Sequence, residues 1–233
     1  MSLVLRTSAV VAATALLAAC GGGASAKKAP TASEGKSAAS AINLKAADVP
    51  GYKGAAHDNS NAGGSDDVAF AACVGASKPH ADEIADTFSE DFSKGEGTMI
   101  SQVSSEASVV SKTDTASKDV KAYKSDKAKS CLDTFVTKLL TKNLGGSGAT
   151  FGKPSVKALD VKTAGIDDSF GYEIAIEASA AGQSFPLTIS LLAMLKDHTE
   201  VSLTTLTVGA SLTASDRDRY ADILRGRLKD SAV

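Results

Sequence analysis

The groups with chemistry to offer in this 233-residue chain are three cysteines, three histidines, one Gly-rich serine and two Asp-Asp pairs. Cys20 ends the stretch Leu17-Ala18-Ala19-Cys20. It follows an apolar run from Ser8 to Ala19, and the only cation before that run is Arg6. This is the pattern of a lipobox: small residues admit a signal peptidase, and the thiol accepts a diacylglycerol as a thioether. The run, about 12 residues, is too short for a hydrocarbon core that needs about 20 helical residues. An ordinary signal peptide in which Cys20 falls by chance is the competing reading. With Cys20 assigned to lipid, Cys73 and Cys131 remain as a pair, expected to form a disulfide in an oxidising compartment. Two buried thiols or two metal ligands are the alternatives, although His57, His80 and His198 show no ligand spacing.

The other candidates each have a plainer use. Gly145-Gly146-Ser147-Gly148-Ala149 comes within one residue of the Gly-x-Ser-x-Gly elbow that exposes a nucleophilic serine. It follows a helical pattern instead of joining strand to helix, so a helix stop is expected. Asp66-Asp67 and Asp167-Asp168 could do acid/base work or bind calcium, but calcium needs six to eight oxygens. Helix capping and turn formation account for them. Residues 64–106 carry nine acids against two lysines, whereas residues 112–142 carry eight lysines against four acids. Lys118, Lys121, Lys124 and Lys127 recur every third residue, a stripe that could meet anionic headgroups or serve as a solvated helix face. No catalytic constellation, metal site or cofactor site is expected. Lys plus Arg is 25 against Asp plus Glu 27, which excludes a nucleic-acid binder of the usual basic kind. The absence of Trp weakens a sugar-stacking platform.

Three domains of behaviour are expected: a signal peptide over 1–19, a lipidated and flexible Gly/Ala/Ser tether over 20–41, and one folded domain over 42–233. Within the last, Ser65 with Asp66-Asp67 predicts a helix to Gly75, with Val68, Ala72 and Cys73 inward. Residues 84–93 lean to strand, and 98–112 alternate as a strand with Met99, Val103, Ala107 and Val109 on one face and Gln102, Ser104, Glu106 and Ser108 on the other. Helices follow over 115–123 and 125–143. A strand at 156–163 and a meander follow, running through Phe170–Ala178, Phe185–Ala193 and Val201–Ala210. Thr213 and Asp216 then cap a helix to Leu228 that buries Tyr220, Ile223 and Leu224. Runs of strands apart from runs of helices predict an α+β fold, an antiparallel β-sheet packed against helices.

The lipobox, the Ser/Ala-rich tether, Asp48-Val49-Pro50-Gly51-Tyr52, Cys73 on a first helix, Lys129-Ser130-Cys131-Leu132-Asp133 and the Gly165–Ser169 turn before a meander carry a family resemblance. Together they resemble the small extracytoplasmic lipoproteins of actinobacteria with Mog1/PsbP-like or related kinase-sensor-like domains. The resemblance spans residues 42–228 in layout. It implies an antiparallel sheet between helices and non-enzymatic envelope roles. The chain departs from the kinase-sensor branch in having two cysteines beyond the lipid site, where those sensors often have four, and no ligand motif of the family is matched.

Three functions follow as expectations. The first is a membrane-anchored, non-catalytic binding, scaffold or sensing module on the outer face of the cell membrane, with an envelope lipid, glycan or protein as partner. The second is a carrier of a lipid or other apolar ligand held between sheet and helices. The third is an envelope hydrolase built on Ser147 and a histidine.

Overall fold

The computed structural model of the chain describes residues 29–58, 64–80, 82–96, 99–144, 148–209 and 212–233. In chain order the elements are α1 (Ala32–Ile42), a 3-10 turn (Ala46–Asp48), β1 (Lys53–Ala55), α2 (Ser65–Val74), β2 (Glu83–Phe88), β3 (Asp91–Glu96) and β4 (Met99–Val110). Then come α3 (Thr113–Tyr123), α4 (Asp126–Leu144), β5 (Thr150–Phe151), β6 (Ser155–Ala158), β7 (Asp168–Ala180), β8 (Gln183–Lys196), β9 (Thr199–Val208) and α5 (Ala214–Ser231). The α+β architecture read from the sequence is the one observed.

All strands join one antiparallel sheet in the order β1-β3-β4-β9-β8-β7-β5. The meander β7–β8–β9 is its spine, because each turn is tight. Ala181 and Gly182 both take positive φ, as does Asp197 in the next turn, the geometry that matches the right-handed twist of paired strands. β2 and β3 pair with successive halves of β4, and β5 and β6 with parts of β7. The β3–β4 hairpin needs Gly95, since a Cβ there would lie 1.9 Å from the Met99 carbonyl oxygen.

Helices cover both faces. On one, α2 and α4 bring Phe70, Val74, Leu132, Phe135 and Leu140 against Tyr172, Ile174, Ile189 and Leu206. On the other, α1 and α5 bring Ala39, Ile42, Leu224 and Leu228 against Val103, Ala107, Met194 and Leu203. Cys73 and Cys131 form a disulfide that ties α2 to α4 across 58 residues of chain.

Two expectations need correction. The tether does not extend to residue 41, because α1 begins at Ala32 and its face of Gly35, Ala38, Ala39 and Ile42 is buried. Small side chains sufficed: a Cβ on Gly35 would sit 3.4 Å from Ala85 and Val109, so the helix packs closely on the sheet without large residues. A Thr31/Glu34 capping box starts the helix, the Thr31 side chain accepting from the Glu34 amide and the Glu34 carboxylate from the Thr31 amide. In α2 the inward face is Asp67, Phe70, Ala71 and Val74, while Val68, Ala72 and Cys73 are exposed. The aromatic Phe70, stacked 4.8 Å from Phe135, decides the rotation.

The end of α1 is pinned by polar contacts instead. Asn43 donates through Nδ2 to the Thr87 carbonyl at 2.8 Å and accepts from Ser105 Oγ at 2.9 Å, and the Leu44 amide donates to the same Ser105 oxygen. From α5, Arg227 grips both Asp48 oxygens at 2.8 Å and the Asn43 carbonyl at 2.7 Å.

Replacing both Cys73 and Cys131 by Ser frees a loop of about 59 residues in the unfolded chain, a cost of about 4 kcal/mol on the chain-entropy model. Urea unfolding of the double variant should show a midpoint lowered accordingly. A midpoint equal to that of the oxidised protein would show that the bridge adds no stability.

Candidate functional site

The polar groups converge where α3 crosses the central strands. Thr115, Asp119 and Tyr123 lie four residues apart and so share one face of α3. All three are buried, with Ala116 and Val120 beside them against Val110 and Leu195. On the strands, the antiparallel register sets two rows across the sheet. One runs Asp86, Ser108, Glu200, Leu195 and the other Phe88, Glu106, Ser202, Ala193. Because Leu195 belongs to the patch under Ala116 and Val120, α3 sits over the first row.

Glu200 is 4 % exposed and Glu106 6 %, and no Lys or Arg is among the buried residues described. Glu200 Oε2, Thr115 Oγ1 and Tyr123 OH are closed off from solvent and make no hydrogen bond. Around them, Ser77 donates its amide and hydroxyl to Asp119 Oδ1 at 2.9 and 3.2 Å. Asp67 caps α2 by accepting the Gly64 amide at 3.2 Å.

Electrostatics follow from this packing. Burial pushes the Glu200 carboxyl well above the ordinary glutamate value, and the neighbouring charges of Glu106, Asp119 and Glu83 push it further. Burial likewise raises the Tyr123 phenol, with Asp119, Glu200 and Asp67 adding to it. At the rim, the His80 imidazole is raised by its 3.0 Å contact with Glu83, against burial, with Glu106 and Asp86 adding to the rise. His57 is raised by Asp91 at 2.9 Å, again against burial, with Glu106 also contributing, and its ring stacks 4.5 Å from Phe88. An ionised carboxylate in such a place costs several kcal/mol, so the neutral acid is the favoured form.

The candidates from the sequence do not gather here. Cys20 and Ser147 lie outside the described residues. His198, in the β8–β9 turn, donates through Nδ1 to the Val110 carbonyl, 2.8 Å away. Asp66 holds Lys138 and Lys142 at 3.0 and 2.7 Å, Asp167 accepts the Asp197 amide, and Asp168 pairs with Lys124. Of the Asp pairs, Asp67 has the expected capping role and Asp167 ties into the β8–β9 turn, whereas Asp66 and Asp168 form ion pairs with lysines distant in sequence. Among the described residues, no three His, Cys, Asp or Glu side chains are arranged for a metal ion. The lysine stripe is interrupted: α3 ends at Tyr123 and α4 starts at Asp126, so the spacing crosses a helix break. A groove of about 730 Å³ lies along the outer side of α5, lined by Lys162, Ser215, Asp218, Arg219, Asp222 and Ile223. It is a charged surface feature, not the apolar space between sheet and helices that a lipid carrier requires.

Sequence reasoning missed Glu106, Asp119, Tyr123, Thr115 and Glu200. The signal was present in the four-residue spacing of Thr115, Asp119 and Tyr123 beside Ala116 and Val120. For the two glutamates, only the knowledge that helices cover both sheet faces would have revealed them.

No family model matches the chain, and no curated protein matches it. Among solved structures it is similar to the extracellular domain of PknH from Mycobacterium tuberculosis, with 14% sequence identity and a TM-score of 0.46, covering 83% of this chain and 96% of that one.

The pH dependence of stability has a definite sign. Glu200, His57 and His80 are all raised in the folded state. Each contributes stability that is complete below its unfolded value, 4.5 for the acid and 6.5 for the imidazoles, and that is lost as pH climbs through the folded value. Asp48 is lowered, burial opposing but the Arg227 hydrogen bonds prevailing, and Asp66 is lowered by Lys142 and Lys138. Their contributions are present above 3.8 and are lost as pH falls through the folded values. Thermal melts should therefore peak in mild acid and decline toward alkaline pH, and His57→Gln with His80→Gln should flatten the decline. A melting temperature that rises from mild acid to alkaline pH contradicts the assignment.

Proposed function

We propose that this chain is a lipid-anchored, non-catalytic binding or sensing module on the extracytoplasmic face of a membrane. The observation that carries the proposal is the Cys73–Cys131 bridge, standing behind Leu17-Ala18-Ala19-Cys20. Disulfides of this kind persist in oxidising compartments, and the lipobox is a route to one. None of the helices described is long and apolar enough to cross a bilayer, so attachment falls to the Cys20 lipid. With α1 starting at Ala32, 11 residues separate Cys20 from the first helix. The domain is thus held close to the headgroups.

The non-catalytic reading draws on what the polar groups are doing. His57, His80 and His198 are each engaged with a carboxylate or a carbonyl, and the buried acids are shut away from any substrate. A hydrolase built on Ser147 has no support from these groups. The partner is an envelope lipid, glycan or protein that meets the exposed surface near the membrane, and no nucleic acid or cofactor is involved.

Mass spectrometry of the amino-terminal peptide from the membrane fraction tests this directly. The expected product begins at Cys20 and carries a diacylglyceryl thioether, and Cys20→Ala moves the protein out of that fraction. An unmodified Cys20 peptide, with Cys73 and Cys131 recovered as free thiols, overturns the proposal.

A further inference from the structure

α3 holds to the sheet by a divided face. Ala116 and Val120 give it an apolar grip on Val110 and Leu195, while Thr115, Asp119 and Tyr123 meet the acids of the central strands. The groups facing Glu200 come from every neighbouring element. They are Glu106 from β4, Glu83 from β2 with His80 at 3.0 Å, Asp119 and Tyr123 from α3, and Asp67 from α2, which faces Tyr123. Just outside, Asp82 is 3.3 Å from Lys112, and the His198 ring is held by the Val110 carbonyl. Acids outnumber bases in this set, and the cations present stand at its rim.

Glu200 Oε2, Thr115 Oγ1 and Tyr123 OH are closed to solvent, and no set of three or more ligating side chains is arranged for a metal among the described residues. A proton needs neither space nor a third carboxylate. The stability of α3 on the sheet is then coupled to that proton, because ionising Glu200 beneath it sets a charge against Glu106 and Asp119 in a medium of low dielectric constant. His57 and His80 act in the same direction: each faces Glu106 and loses its positive charge as pH rises.

We propose that α3 is a proton-operated latch, closed over Glu200 while that acid is protonated and lifted from the polar side chains of Glu106, Ser108 and Ser202 when Glu200 ionises. α3 is 11 residues long and has no disulfide of its own; its C-terminal end is held by the Tyr172 hydroxyl, which donates to the Tyr123 carbonyl, and by the Lys124–Asp168 ion pair, so the lifting starts from the Thr113 end. The cross-linked pair α2 and α4 stays in place while α3 moves. The latch depends on the folded domain alone, and it holds or fails independently of the Cys20 anchor.

Hydrogen exchange of the full chain, corrected for intrinsic rates, tests it. Protection of the amides in 113–123 should fall about tenfold or more as pH is raised from mild acid through the ionisation of Glu200, followed by its infrared acid band, while β7 and β8 keep theirs. In Glu200→Gln, which is neutral at every pH and nearly the same shape, most of that fall should disappear. Glu106→Gln keeps Glu200 but removes a charge beside it, and should reduce the fall without abolishing it. Protection of α3 that does not change with pH overturns the latch. So does a fall of the same size in either variant, or one shared equally by β7 and β8.

Discussion

A carboxylic acid enclosed by other acids is the constraint around which this domain has to be explained. Glu200 lies on β9, the strand between β4 and β8, under a helix that offers it an aspartate and a phenol and no cation. Burying an ionised carboxylate without a partner costs several kcal/mol, a large part of the 5–15 kcal/mol that keeps a domain folded. The fold tolerates the arrangement because the acid can stay neutral, and because the remaining contacts of the sheet are strong. The two hydrophobic layers lie on opposite faces, one locked by the Cys73–Cys131 bridge and the other by the Arg227 grip on Asp48 and Asn43. On the first of these faces, α3 packs partly on apolar and partly on polar groups.

That division gives the molecule a stiff part and a yielding part. The meander, α2 and α4 form the stiff part, with long register-matched strands and a covalent tie. α3 rests through Ala116 and Val120 on Val110, Leu195 and Phe170, and through Tyr123 on Phe70 and Phe170, ring centroids 5.9 and 5.2 Å away. Elements with few apolar contacts and exposed ends open first. An opening governed by protons would make the surface beneath α3 depend on the acidity of the surroundings.

Much of the fold was legible because its signals are local. The alternation in β7, the Ala181-Gly182 and Asp197 turns and the Thr213 cap of α5 each lie within a few residues of the groups that cause them. α1 was illegible by composition, since Gly35, Ala38 and Ala39 look like tether residues until a sheet is placed beneath them; only Thr31 and Glu34 marked its start. The rotation of α2 was misjudged because Val68 and Phe70 compete for the inward position, and the aromatic partner Phe135 lies far along the chain. The site was legible only in part. Asp119 and Tyr123 show helical spacing, but Glu106 reads as a solvent-facing residue in β4. Glu200 falls just before the strand read from Val201, where alternation gives it no face, and both are buried by elements distant in sequence.

The most direct test of the account is the protonation state of Glu200 itself. Infrared difference spectra of the wild-type chain against Glu200→Gln, at about pH 6 where an ordinary glutamate is ionised, should show one carboxylic acid C=O stretch present only in the wild type, at a frequency typical of a buried acid with few hydrogen bonds. That band should be lost on raising the pH. Spectra in which every carboxyl at that pH is already carboxylate, with no acid band separating the two proteins, would contradict it.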